Sequence, residues 1–142
     1  MILRVGLFCL LATVTVAPQA SACVCEDLGT NAEQIARAKT VVLGRIVDLS
    51  IASRQVDGES IEYTVATIQV EKRWKGPKQK RIQVNTCGNQ VLACTCGVPF
   101  QLGGEYIVVT EHGSQVSSCG LTRSVASRED PFVAGIEAHF KK

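Results

Sequence analysis

Residues 40–74, TVVLGRIVDLSIASRQVDGESIEYTVATIQVEKRW, contain two long stretches rich in β-branched residues, separated by a short polar segment. The composition of residues 40–51 and of residues 59–74 is typical of β-strands. Asp57-Gly58 between them is a hairpin turn signal. The sequence therefore predicts a long β-hairpin, and Gly44 inside its first strand predicts a bulge or a bend.

The apolar pattern of the second strand changes phase along its length. Ile61 and Val65 share one parity, whereas Ile68 and Val70 share the other. Successive side chains of a strand point to opposite faces, so this change requires an extra residue in the pairing. The pattern predicts a second irregularity near the middle of the hairpin.

Three more strands and two helices are predicted around the hairpin. The predicted strands are residues 81–85, 105–111 and 115–119, and the predicted helices are residues 31–39 and a C-terminal amphipathic helix from Pro131. Thr30 and Glu33 have the spacing of a capping box, and proline is well placed in a first helical turn. Five bent strands at close spacing, with a glycine and bulge pattern, favour a mainly β fold, specifically a five-stranded OB-type closed barrel with short flanking helices.

The first 22 residues have the features of a secretory signal peptide. An apolar run follows Arg4 and ends before Ala20-Ser21-Ala22, a small-x-small cleavage pattern. The sequence thus predicts a signal peptide over residues 1–22 and one domain over residues 23–142, with no membrane span. The prediction is a secreted, extracellular protein, or a periplasmic protein or outer-membrane lipoprotein if the source is bacterial.

Cleavage after Ala22 would leave six of the seven cysteines and make Cys23 the N-terminal residue. An even number of cysteines in an exported chain predicts three disulfides. In an extended segment Cys23 and Cys25 face the same side and are expected to bond different partners. The candidate partners are Cys87, Cys94, Cys96 and Cys119. An alternative is a zinc site of four thiolates from Cys23, Cys25, Cys94 and Cys96.

Residues 72–81 carry six positive charges beside Trp74, namely Lys72, Arg73, Lys75, Lys78, Lys80 and Arg81. This composition predicts either a polyanion-binding surface or a solvated hairpin tip. Without Arg4 the chain has 14 basic and 13 acidic residues, a balance that favours the hairpin tip and predicts no nucleic-acid partner. His112 and His139 stand apart from any catalytic pattern, and the sequence predicts neither an enzyme nor a cofactor.

Several short motifs occur in an order that resembles a known family. They are Cys23-x-Cys25, Trp74-Lys75-Gly76, Cys96-Gly97 ahead of Phe100, and a Gly-x-Tyr strand through Tyr106 before Cys119. In this order they resemble the tissue inhibitors of metalloproteinases, in particular the single-domain members of the wider netrin-like (NTR) group. The resemblance spans residues 23–122 and implies an OB-type barrel.

The resemblance also implies specific disulfides and a mechanism. It implies the pairs Cys23–Cys96 and Cys25–Cys119, which leaves Cys87–Cys94. It implies a secreted metalloprotease inhibitor in which the terminal amine and carbonyl oxygen of Cys23 chelate the catalytic zinc of a partner protease. Val24 would enter the pocket beside that zinc, and Cys25 would hold the segment in place. The inhibitory residues would then be Cys23, Val24 and Cys25.

Two features depart from the family pattern. Glu26-Asp27 follows the second cysteine where a small residue or valine and then proline are usual, and Arg37 lies near the position of a helical cysteine. The alternative function is a non-inhibitory binding module, secreted or anchored by a lipid on Cys23. A lipoprotein site prefers a large aliphatic residue three positions before the cysteine, where this chain has Ala20.

Overall fold

A computed structural model describes residues 25–87 and 96–141. The described chain is mainly β, with five antiparallel strands and two short helices, which confirms this part of the prediction. The elements in chain order are α1 (Asn31–Arg37), β1 (Thr40–Val56), β2 (Glu59–Lys75), β3 (Arg81–Cys87), β4 (Glu105–Thr110), β5 (Arg123–Ser124) and α2 (Pro131–Phe140). The predicted signal peptide over residues 1–22 lies outside the described residues.

The five strands form one open sheet in the order β3-β2-β1-β4-β5. The predicted closed barrel is therefore not formed by continuous strand pairing among the described residues. One parallel bridge, between Asn85 of β3 and Gln115, connects the β3 edge to the segment after β4. Its hydrogen bonds run from the Asn85 amide to the Ser114 carbonyl, at 2.8 Å, and from the Val116 amide to the Asn85 carbonyl, at 2.9 Å.

The predicted fifth strand, residues 115–119, is wrong. Gln115 makes only the isolated bridge, and the fifth strand is the two-residue β5, which pairs with Tyr106 and Ile107 of β4. Arg123 and Ser124 are polar and exposed, so they carry no apolar alternation from which a strand is predicted.

The hairpin of β1 and β2 contains the predicted irregularities. The register shifts between Leu43 and Gly44, and again between Ile46 and Asp48. The second shift lies opposite Thr67 and Ile68 of β2, where the apolar parity changes. Its extra residue is Val47, so the bulge belongs to β1 rather than to β2.

The central strands are buried on both faces, which explains their continuous apolar runs. One core contains Val41, Leu43, Ile107 and Val109 and is covered by both helices. The other lies on the opposite face between β1, β2, β3, β4 and the segments around Val98 and Val116. The sheet therefore has a helix-covered face and a second face that is covered by its own curvature and by loops.

Both helices begin with the predicted signals. The Thr30 hydroxyl accepts from the Glu33 amide, and the Glu33 carboxylate accepts from the Thr30 amide at 2.7 Å, which completes a capping box. The second helix begins after Asp130, whose carboxylate accepts from the Phe132 amide at 2.8 Å. Neither described helix has the length and apolar content that a membrane crossing requires.

Candidate functional site

A disulfide between Cys25 and Cys119 fixes the start of the described chain to the segment after β4. The two Cα atoms are 5.5 Å apart, and the bond closes a loop across 94 positions of sequence. In the chain-entropy model, a loop of this length stabilises the folded state by roughly 4–5 kcal/mol. This is the pair that the resemblance to the metalloproteinase inhibitors implies for these two cysteines.

A third half-cystine lies beside the Cys25–Cys119 bond. Cys96 is also disulfide-bonded, and its carbonyl accepts a hydrogen bond from the Ser118 amide at 2.9 Å. Ser118 directly precedes Cys119, so the backbone segments that carry Cys96 and Cys119 are neighbours. The two cysteines assigned by the resemblance to the N-terminal Cys-x-Cys therefore lie together in the fold.

The segment that leaves Cys25 is held by side chains of α1. Arg37 donates from Nη2 to the Leu28 carbonyl at 2.7 Å, and Gln34 donates from Nε2 to the Gly29 carbonyl at 3.1 Å. Gln34 is buried, and this bond satisfies its amide. The chain after Cys25 is thus held by the disulfide at one end and by a helix at the other.

The acidic pair after Cys25 divides into two roles. Asp27 accepts a hydrogen bond from the Gly29 amide at 2.9 Å and shapes the turn before α1. Glu26 is exposed and lines a cleft. The Asp27 carboxylate is therefore part of the turn, whereas the Glu26 carboxylate is not.

The cleft beside the disulfide has a volume of about 380 Å³. Its walls include Cys25 and Cys119. The other lining residues are the apolar Leu28, Val109 and Leu121 and the polar Glu111, His112 and Gln115. His112, which the sequence pattern leaves apart from any site, lies on this wall. The cleft combines an apolar floor with a few polar groups, as small binding sites do.

Two of the four cysteines in the alternative zinc site, Cys25 and Cys96, are not available as ligands. Cys25 is bonded to Cys119, and Cys96 is disulfide-bonded, so neither offers a thiolate. Within residues 25–87 and 96–141, no three His, Cys, Asp or Glu side chains are grouped so that they can hold a metal ion. Cys23, Val24 and Cys94 lie outside the described residues, and with them the Cys23–Cys96 and Cys87–Cys94 pairs. Cys87 is the last residue of β3, where it pairs with Tyr63.

Four of the six cations in residues 72–81 make contacts within the fold. The four contacts are Lys72 with Glu137 of α2, Arg73 with the Gln79 carbonyl, Lys75 with the Ala36 carbonyl of α1, and Arg81 with Gln69. The hydrogen bond from Lys72 lowers the pKa of Glu137. Trp74 packs against the helix-covered core. Lys72 and Lys75 thus connect the basic segment to both helices, whereas Lys78 and Lys80 remain exposed.

No family model matches the chain, and no curated protein matches it.

Proposed function

We propose that this chain is a secreted inhibitor of zinc metalloproteases whose mature N-terminus, Cys23, binds the catalytic zinc of its target. The terminal amine and carbonyl oxygen of Cys23 are the two ligands, and Val24 enters the adjacent substrate pocket. The observation that carries the proposal is the Cys25–Cys119 disulfide, because it attaches the residue two positions after Cys23 to the segment between β4 and β5.

The position of Cys96 supports the same arrangement. Residues two apart in an extended segment are roughly 7 Å apart and face the same side. Cys96 is disulfide-bonded and lies on the backbone segment next to Cys119. In the proposal Cys23 bonds Cys96, so that both cysteines of the N-terminal pair are held on neighbouring segments. The remaining pair is Cys87–Cys94.

The chemistry requires a free amine. A catalytic zinc keeps one position open for water or substrate, and a neutral amine with an adjacent carbonyl oxygen can replace that water. An α-amino group has a pKa of about 7.7–8.0, so its neutral form is available near neutral pH. The proposed disulfides hold these ligands in their bound geometry before association, which reduces the entropic cost of binding.

The proposal includes an OB-type barrel as the supporting scaffold. The isolated bridge between Asn85 and Gln115 joins the β3 edge to the segment after β4, and in the proposal the barrel closes along this contact. The long β1–β2 hairpin and the bulge at Gly44 are the kind of feature that bends a sheet toward closure.

Inhibition by the mature protein tests the proposal directly. The mature chain is produced by secretion, and its first residue and intact mass are determined. It is then assayed at micromolar concentration against a panel of zinc metalloproteases with a fluorogenic peptide. The matched variants carry one additional alanine either before Cys23 or after Lys142, and thermal melts verify that both are folded.

We expect the wild-type chain and the C-terminal extension to inhibit at least one protease, and the N-terminal extension to lose inhibition. Inhibition that survives the N-terminal alanine would contradict zinc chelation by Cys23. A mature chain that begins elsewhere, or carries an acyl group on Cys23, would also overturn the proposal. Failure to inhibit any protease of the panel would instead support a binding module.

A further inference from the structure

The outer edge of β1 loses its strand neighbour halfway along the hairpin. β4 pairs with β1 only from Thr40 to Arg45. Gly103 and Gly104 then exchange backbone hydrogen bonds with Ile46, at 2.8 and 2.9 Å. Beyond this point the described residues offer no further strand to this edge of β1. Unpaired amide and carbonyl groups along a sheet edge are a template for another strand.

The exposed part of this edge, residues 48–54, has an unusual composition for an unprotected strand. It reads DLSIASR and contains neither lysine nor proline, the residues that commonly protect an edge. Ile51 at its centre is 74% exposed, the largest value among the exposed large apolar side chains. An exposed isoleucine on an open edge is the feature that strand addition would cover.

The charges of residues 48–54 are self-complementary. Asp48 and Arg54 lie three positions before and three positions after Ile51, and both are exposed. Neither forms an ion pair with the described residues, and the Arg54 guanidinium lies 5.9 Å from the ring centroid of Tyr63. If two such strands pair antiparallel with Ile51 opposite Ile51, each Asp48 faces an Arg54 on the same face of the sheet.

We propose that two copies of this chain associate through the β1 edge in this register, around a two-fold axis at Ile51. Leu49 then lies opposite Ser53, and Ser50 opposite Ala52. A two-fold interface uses the same patch on both copies, which residues 48–54 satisfy. A register shift of one residue places Asp48 opposite Ser53 or Gln55, and a shift of two places it opposite Ala52 or Val56. Each of these registers loses both charge pairs.

The other edge of the hairpin does not have this property. β3 pairs with β2 only from Tyr63 to Gln69, so no strand among the described residues pairs with the outer edge of residues 59–62. That segment reads ESIE and carries two glutamates without a cation. Antiparallel self-pairing would bring like charges together, which destabilises cross-strand pairs. The β1 edge is therefore the better surface for a second copy.

The association does not require a free amine at Cys23, so it is tested independently of inhibition. Sedimentation equilibrium of the folded chain, from micromolar to millimolar concentration, should show a mass that rises from one chain to two. Asp48→Arg and Arg54→Asp each create two like-charge pairs, and each should raise the dissociation constant by about tenfold or more. The double variant Asp48→Arg/Arg54→Asp restores opposite charges and should return the constant close to wild type.

Oxidative cross-linking tests the register. Directly opposite Cα atoms are 4.5–5.5 Å apart, within disulfide range, so Ile51→Cys should give a covalent dimer on a non-reducing gel. Ser53→Cys places the two thiols four residues out of register, roughly 13 Å apart, and should not. Circular dichroism verifies the fold of each variant.

A chain that stays monomeric at millimolar concentration would overturn the proposal. So would a dimer that is indifferent to the single charge reversals, or equal cross-linking through Ser53→Cys. A wild-type dimer that both single reversals weaken and the double variant restores would establish this interface.

Discussion

Arg37 of α1 forms an ion pair with Glu111, which follows the end of β4, at 3.2 Å between Nη2 and Oε1. The same guanidinium donates to the Leu28 carbonyl at 2.7 Å. Arg37 thus connects the segment after Cys25 to α1 and to the end of β4, and its polar contacts hold these parts together.

Replacing Arg37 should loosen the Cys25 segment more than loss of the ion pair alone explains. An exposed ion pair is worth about 0–1 kcal/mol, and Arg37→Ala also removes the charged donor to Leu28. We expect Arg37→Ala to lower the free energy of unfolding by about 1–2 kcal/mol. Urea denaturation of Arg37→Ala, Glu111→Ala and the double variant separates the two contributions. Equal effects of the two single variants would contradict this account.

Gly44 is required by a close approach between β1 and β2. A Cβ atom at this position would lie 2.4 Å from the Gln69 carbonyl oxygen and 2.6 Å from Cγ2 of Ile68. We expect Gly44→Ala to destabilise the fold by about 1–3 kcal/mol because the backbone of two paired strands must separate. Thermal unfolding measures the effect.

Gly135 in α2 is the matched control for Gly44. No atom lies within 4 Å of a Cβ built there, and alanine is the better residue in a helix interior by about 0.5–1 kcal/mol. Gly135→Ala should therefore raise the melting temperature, whereas Gly44→Ala lowers it. A change of the same sign in both variants would show that the strand contact is not the cause.

The capping box makes part of the stability depend on pH. Hydrogen bonds from the Thr30 amide, and then from its hydroxyl, lower the pKa of Glu33. A carboxylate with a lowered pKa stabilises the fold above its unfolded pKa of about 4.3. This stabilisation is lost as the pH falls through the folded-state pKa.

The stability difference between wild type and Glu33→Gln should therefore shrink as the pH falls from 6 to 3, as measured by urea denaturation. Glu59→Gln is the control, because the Glu59 side chain is exposed and makes no contact with the described residues. If the Glu59 variant shows the same pH dependence, the capping box is not its source.

We expect residues 72–81 to contribute to polyanion binding only through the net charge of the protein, and not as a dedicated binding site. Lys78 and Lys80 are the exposed cations of this segment, whereas the other four make contacts inside the fold. We expect Lys80→Glu and Arg54→Glu, which change the net charge equally, to shift elution from a heparin column by similar amounts. Arg54 is exposed and pairs with Ile61 near the Asp57-Gly58 turn, at the opposite end of the hairpin from the basic segment. A much larger shift for Lys80→Glu would support a dedicated polyanion site.

Local signals predicted most of the elements because each depends on neighbouring residues. The Thr30–Glu33 box, Pro131 after Asp130, the Asp57-Gly58 turn and Gly44 act within a few positions, and all four features occur where the sequence placed them. Asp57 has φ 51° and Gly58 has φ 85°, as a tight hairpin turn requires.

The contacts between distant segments were not predictable in the same way. Spacing left the partner of Cys25 open, and only the resemblance implied Cys119. Nothing near Arg37 in sequence indicates Glu111, 74 positions away. The open sheet was missed because closure depends on the pairing of strand edges, which alternation within one strand does not encode.

The Cys25–Cys119 bond also fixes the order of events during synthesis. Cys25 leaves the ribosome 94 residues before its partner, which is roughly 5–20 s at 5–20 residues per second. During this interval its thiol has no native partner, although the residues of β1, β2, β3 and β4 are all synthesised before Cys119. Cys25 is thus the first described residue to be synthesised, but its native disulfide can form only when the chain is nearly complete. Until then, oxidative folding must avoid non-native disulfides at Cys25.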